Sequence, residues 1–139
     1  MAYKTFKDFE PTIIFEYPSR WKLLKESNQT YLFYDEMLGS FRFTHLQVSK
    51  DVNLDSHLNN KCLEKAELNP EWVMQKELRF LYYKEVENKR EGDTIIHYFW
   101  AHKENILLLF SYAYNTFLEN SEEINTELKE VNRVLSTIK

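Results

Sequence analysis

Thr94-Ile95-Ile96-His97-Tyr98-Phe99-Trp100-Ala101-His102-Lys103, then a tight turn around Lys103-Glu104, then Asn105-Ile106-Leu107-Leu108-Leu109-Phe110-Ser111-Tyr112-Ala113-Tyr114-Asn115-Thr116-Phe117, is the stretch on which the fold turns. Both runs are rich in β-branched and aromatic residues, which suit a pleated, packed surface. Glu77 to Glu87 precedes them with a similar composition, separated by a polar segment containing Gly92-Asp93. Three successive strands with short connections predict an antiparallel meander. Side chains alternate across a strand, so closing the hairpins at these turns puts Phe80, Tyr82, Ile95, His97, Phe99, Ile106, Leu108 and Phe110 on one face. The other face receives Leu81, Tyr83, Tyr98, Trp100, His102, Leu107, Leu109, Ser111 and Ala113. Both faces are apolar, so both are expected to be covered, as in a sandwich.

Working outward, Thr12 to Tyr17 reads as a strand stopped by Pro18, which has no amide proton for a ladder. Thr30 to Tyr34 and Ser40 to Val48 read as two more, joined through Asp35-Glu36-Met37-Leu38-Gly39. Leu54, Leu58, Cys62 and Ala66 recur every fourth residue, one stripe of a helix that Asp51, Asn53 or Asp55 caps and Asn69-Pro70 ends. Ile124, Leu128, Val131, Leu135 and Ile138 mark a closing helix, with Asn120 or Ser121 as its cap and Glu123 three residues after Asn120, as in a capping box. The fold class is therefore α+β, an antiparallel sheet flanked by helices. No repeat, low-complexity tract or Pro/Gly/Ser linker divides the chain, and residues 1–139 read as one domain.

Composition excludes several function classes. At 139 residues with 43% hydrophobic and 29% charged residues, the chain has the balance of a folded domain, not a disordered one. Its longest unbroken apolar run, Ile106 to Phe110, is far short of the ~20 residues that span a bilayer. The only two glycines, Gly39 and Gly92, lie too far apart for a phosphate-cradling loop. A net charge of −4 opposes nucleic-acid binding, and the basic run Lys84 to Arg90 is interrupted by Glu85 and Glu87. A single cysteine, Cys62, and an N-terminal stretch without a signal-peptide core lead to the expectation of a cytoplasmic protein.

Ile14-Phe15-Glu16-Tyr17-Pro18-Ser19-Arg20-Trp21, a strand ending in Tyr-Pro followed by a small residue and Trp, resembles the opening of PsbP-type domains. The continuation Tyr31-Leu32-Phe33-Tyr34-Asp35, a loop, and Ser40-Phe41-Arg42-Phe43 is similar too, as is the closing order of strand, tight turn, strand and helix. The resemblance is to the Mog/PsbP-like group, which includes bacterial domains of unknown function, and it implies an α/β/α sandwich around an antiparallel sheet. Its better-known members bind other proteins (a small GTPase, a photosystem, or effectors awaiting export), so it implies a non-catalytic role. No functional residue is carried across. Tyr17, Pro18 and Trp21 read physically as a corner that sets the first turn, with Trp21 covering the sheet end.

No catalytic or metal constellation stands out. His45, His57, His97 and His102 do not pair at i, i+4 on a helix, and Cys62 has neither another Cys nor a His at zinc-ligand spacing. Cys62 falls on an apolar stripe, the setting of a small hydrophobe. Glu122, Glu123, Glu127 and Glu130 read as the solvated outer face of the closing helix. The chain is thus expected to be no enzyme and to need no metal or other cofactor.

Two functional expectations follow. In the first, the chain is a protein-binding domain of the adaptor, secretion-chaperone or immunity type. It binds an unidentified protein through Tyr83, Tyr98 and Trp100, with Arg42, Arg79 and the acidic helix tuning association. Against it stands a purely structural reading, in which the closing helix lies across that face and buries all three aromatics. In the second, a small ligand or substrate enters a pocket between helix and sheet, with His97 and Tyr82 as its polar groups. Histidine titration separates the two: a pocket histidine coupled to a ligand shows a shifted titration that moves on binding, whereas a surface binder shows four ordinary ones.

Overall fold

The chain runs through β1 (Tyr3–Phe9), β2 (Thr12–Pro18), β3 (Lys22–Lys25), β4 (Thr30–Tyr34), β5 (Ser40–Gln47), α1 (Leu54–Glu64), β6 (Glu71–Gln75), β7 (Leu78–Glu87), β8 (Thr94–Lys103), β9 (Ile106–Asn115) and α2 (Glu122–Leu135). This is a computed structural model, described for residues 2–9, 12–35 and 39–139. Seven strands form one antiparallel sheet in the order β3-β4-β5-β9-β8-β7-β6, and β1 pairs with β2 in a separate hairpin. The expected α+β architecture is present, and the meander β7-β8-β9 lies within the large sheet, with β9 joining it to β5. No helix among the described residues is long and apolar enough to cross a membrane.

The alternation read from the sequence is the one observed: Tyr83 pairs with Tyr98, Tyr98 with Ser111, Phe99 with Phe110 and Trp100 with Leu109. The face carrying Phe80, Phe99, Leu108 and Phe110 is buried beneath α2 and the β1–β2 hairpin, and it forms one core with Ile124, Val131 and Leu135 of α2. Much of the chain's 16% aromatic content is spent here. The hairpin sets Phe6 on Phe15 at 4.7 Å, and Phe43 stacks on Phe110 at 4.6 Å. Burying each such ring contributes about 1.5–3 kcal/mol. The corner also forms: the Trp21 amide donates to the Pro18 carbonyl at 3.0 Å, and the Trp21 ring, 4% exposed, packs on Phe41.

Three strands were not expected. β1 buries Phe6, β3 is a fully exposed Lys-Leu-Leu-Lys edge, and β6 is short. β6 and β7 join through Lys76-Glu77, where Lys76 adopts φ 55° without glycine or asparagine to signal the turn. The caps also differ in detail. Asn53 caps α1 by accepting from the Ser56 amide, but the helix stops at Glu64 and Ala66 lies beyond it in an exposed 3-10 turn. Ser121 caps α2 and accepts from the Ile124 amide, so Glu123 is not at the capping-box position. Of the expected β4–β5 connection, residues 36–38 lie outside the described set.

Candidate functional site

Register builds the face opposite the core as a grid. One row runs Leu24, Leu32, Arg42, Ser111, Tyr98 and Tyr83; the next runs Thr30, Thr44, Leu109, Trp100, Leu81 and Trp72. α1 lies over the β7–β8 end of these rows, burying Leu54 and Leu58. Its Lys61 ammonium stands 4.5 Å from the Trp100 ring and its Lys65 ammonium 5.7 Å from the Tyr83 ring. On the β9-β5-β4 half, Leu32, Leu107 and Leu109 are partly exposed and Leu46 is 44% exposed. Small Ser111 stands between Arg42 and Tyr98, and small Ala113 between Ser40 and Ile96.

The expected binding residues divide across this face. Tyr83 is only 3% exposed, and its hydroxyl accepts from the Trp100 indole at 3.0 Å. Burial pushes its hydroxyl above the ordinary tyrosine range, an effect that the Trp100 hydrogen bond opposes. Trp100 is partly covered by Lys61, whereas Tyr98, partly exposed, borders the open half. Arg42 lies within the open half and pairs with Glu26 at 2.8 Å. Arg79 does not join it: its guanidinium stacks on Trp72 at 3.7 Å, on the far side of α1. The reading in which the closing helix buries these aromatics is overturned. α2 packs on the opposite face, because its stripe Ile124, Val131 and Leu135 meets the core ring cluster there.

His97 and Tyr82, expected to line a pocket between helix and sheet, do meet. Tyr82 Oη lies 2.7 Å from His97 Nδ1, and Tyr114 Oη lies 3.0 Å from Nε2. A cavity of about 250 Å³ opens beside them, bounded by Glu71 and Val73 of β6, Phe99 of β8, and Leu128 and Asn132 of α2. Burial, with Lys84 adding to it, lowers the His97 pKa to about 4. Burial first, then the charges of Tyr114 and Glu71, pushes the Tyr82 hydroxyl up to about 12. The His97 shift follows from burial and Lys84 alone. His45 is buried against Tyr31 and Phe43 and is separated from His97 by β9, His102 bonds Asp55 at 2.7 Å, and His57 is exposed. Among the described residues, no three of His, Cys, Asp and Glu converge as a metal site.

The carboxylates of α2 correct another expectation. Glu127, read as an outer-face residue, is 4% exposed, accepts the Tyr112 hydroxyl proton and takes the Gly39 amide at 3.3 Å. Glu130, one turn on, pairs with Arg20, which also reaches Asp35 at 3.1 Å. Burial and then the Glu127 bond push the Tyr112 hydroxyl far up. Gly39 is required here, since a Cβ would lie 2.4 Å from the Tyr112 ring. The one signal in the sequence was the three-residue spacing of Glu127 from Ile124 and four from Val131, which places it on the buried side.

No protein-family model matches the sequence, and no curated protein does so either. Solved structures do match, and they place the chain in a fold class, that of the Mog1/PsbP-like proteins. The cyanobacterial PsbP, CyanoP, of Synechocystis sp. PCC 6803 aligns with 99% of this chain and 92% of its own at 13% identity, TM-score 0.62. The Saccharomyces cerevisiae Ran-binding protein Mog1p aligns over 100% and 95% at 13% identity, TM-score 0.59. A Bacteroides thetaiotaomicron protein aligns with the whole of this chain at 20% identity and TM-score 0.79, and the chain spans 48% of that protein's length. At these identities the likeness is one of fold.

Proposed function

We propose that the chain is a non-enzymatic protein-binding domain of adaptor type, residues 1–139 acting as one unit, that docks an apolar segment of another protein on the β9-β5-β4 half of the α1 face. The observation that carries this reading is the half-covered face itself: α1 shields Tyr83 and leaves Leu32, Leu46, Leu107, Leu109 and the Tyr98 edge open. Exposed apolar side chains gathered on one sheet face favour association. Tyr98 supplies rigid contact area, and Arg42 with Glu26 supplies a charged rim that sets association rate more than affinity. The fold is compatible with such a role, since Mog1p is a Ran-binding protein. Free Cys62 suits a reducing compartment, and we assign the role to the cytoplasm.

A quantitative capture from native lysate tests this, comparing wild type with Tyr98→Ala, Leu109→Asp after circular dichroism has verified that the variant folds. The reading expects a saturable protein bound by wild type and lost by the folded variant. A wild type that captures nothing saturable, or a variant that captures the same protein equally well, overturns it.

A further inference from the structure

Hydrogen-bond counting around His97 leaves one proton over. A neutral imidazole has one N–H and one lone pair, and His97, 5% exposed, is held neutral by its burial and by Lys84. One of its two tyrosine neighbours must therefore donate to the ring, and the other must accept from it. The accepting tyrosine keeps a hydroxyl proton that neither bond consumes. Tyr114 is 5% exposed, and a leftover proton there would be buried without an acceptor. Tyr82 instead lines the cavity of about 250 Å³. The arrangement with fewer losses has Nδ1–H donating to Tyr82 Oη, Tyr114 O–H donating to Nε2, and the Tyr82 proton directed at the cavity.

The other polar groups of the cavity narrow what it can take. Asn132 is half engaged: its Nδ2 donates to the Leu128 carbonyl at 3.0 Å and its Oδ1 accepts from Gln75 at 3.3 Å, which leaves one N–H and one lone pair. The Tyr82 hydroxyl has a whole proton to donate and the Glu71 carboxylate is the charged acceptor, with Val73, Phe99 and Leu128 as apolar walls. Glu71 repels an anion. A volume equal to about eight water molecules of liquid suits a single ring with one polar substituent.

We propose that this cavity is a binding site for a small uncharged molecule with an apolar ring and an amide head, whose carbonyl accepts from Tyr82 and whose N–H faces Glu71. The site lies on the opposite side of the sheet from the protein-docking surface and does not rest on that reading.

The test uses nitrogen-15 NMR of the His97 ring, followed by titration with benzamide and with benzoate as the charged counterpart. The proposal expects the Nδ1–H tautomer and a saturable benzamide titration that moves the His97 and Phe99 signals. It expects benzoate to bind at least about tenfold more weakly, and Tyr82→Phe to weaken benzamide by about tenfold. Leu128→Trp fills the cavity without touching the Tyr82–His97–Tyr114 bonds, and it is expected to abolish benzamide binding even where Tyr82→Phe fails to fold. An Nε2–H tautomer, a benzamide titration that does not saturate, equal binding of the two probes, or unchanged binding by Leu128→Trp overturns the proposal.

Discussion

Replacing His97 by glutamine removes a titrating group from the core while keeping a donor and an acceptor for Tyr82 and Tyr114. In the folded protein the His97 pKa is lowered from 6.5 to about 4, mainly by burial and then by Lys84. A depressed histidine binds fewer protons folded than unfolded between these values, so stability rises with pH across that window. The contribution is complete above pH 6.5 and is lost progressively as pH falls toward 4. The interval corresponds to about 3 kcal/mol of lost stability. Urea denaturation of wild type and His97→Gln at pH 7, 6, 5 and 4 measures it. Every other group is common to the two proteins, so its contribution cancels in the difference. The variant is expected to be less stable at pH 7 yet to lose about 3 kcal/mol less between pH 6.5 and 4. Parallel stability curves for the two proteins would refute the reasoning, because they would mean that His97 titrates alike in both states.

Two close contacts around Tyr112 and one helix cap give smaller predictions. Gly39→Ala forces a methyl group to within 2.4 Å of the Tyr112 ring, and a loss of about 1–3 kcal/mol is expected in the denaturation midpoint. Tyr112→Phe leaves buried Glu127 without its phenol donor, at a cost of about 1.5–3 kcal/mol, read by the same assay at pH 7. Asn53→Ala removes the side-chain cap on α1 and is expected to cost about 1 kcal/mol, seen as a lower thermal midpoint by circular dichroism.

The meander and its two faces were legible in the sequence because period-two alternation over β7, β8 and β9 is long and its turns are short, so the register leaves little choice. The corner at Tyr17, Pro18 and Trp21 was legible through proline chemistry. β3 escaped because all four of its residues are exposed and no apolar face betrays it. β6 escaped because its turn to β7 uses Lys76 in a left-handed conformation that composition does not announce. Alternation defines two faces but not what covers each, so the helix over Tyr83 was misassigned: α1 buries only Leu54 and Leu58 of its stripe, and Lys61 and Lys65 lie over aromatic rings beside them. Glu127 was misread for a related reason. A carboxylate in an acidic run looks solvated until a tyrosine 15 residues away supplies its proton donor.

The docking claim is tested most directly by photo-crosslinking from single positions. The photoreactive residue p-benzoylphenylalanine in place of Ser111 lies within the open half, between Arg42 and Tyr98, whereas in place of Phe117 or Leu63, 79% and 75% exposed, it reports on surface elsewhere. The account predicts one dominant protein adduct from position 111 and none of that species from 117 or 63. The same adduct from 117 or 63 with position 111 silent would contradict it.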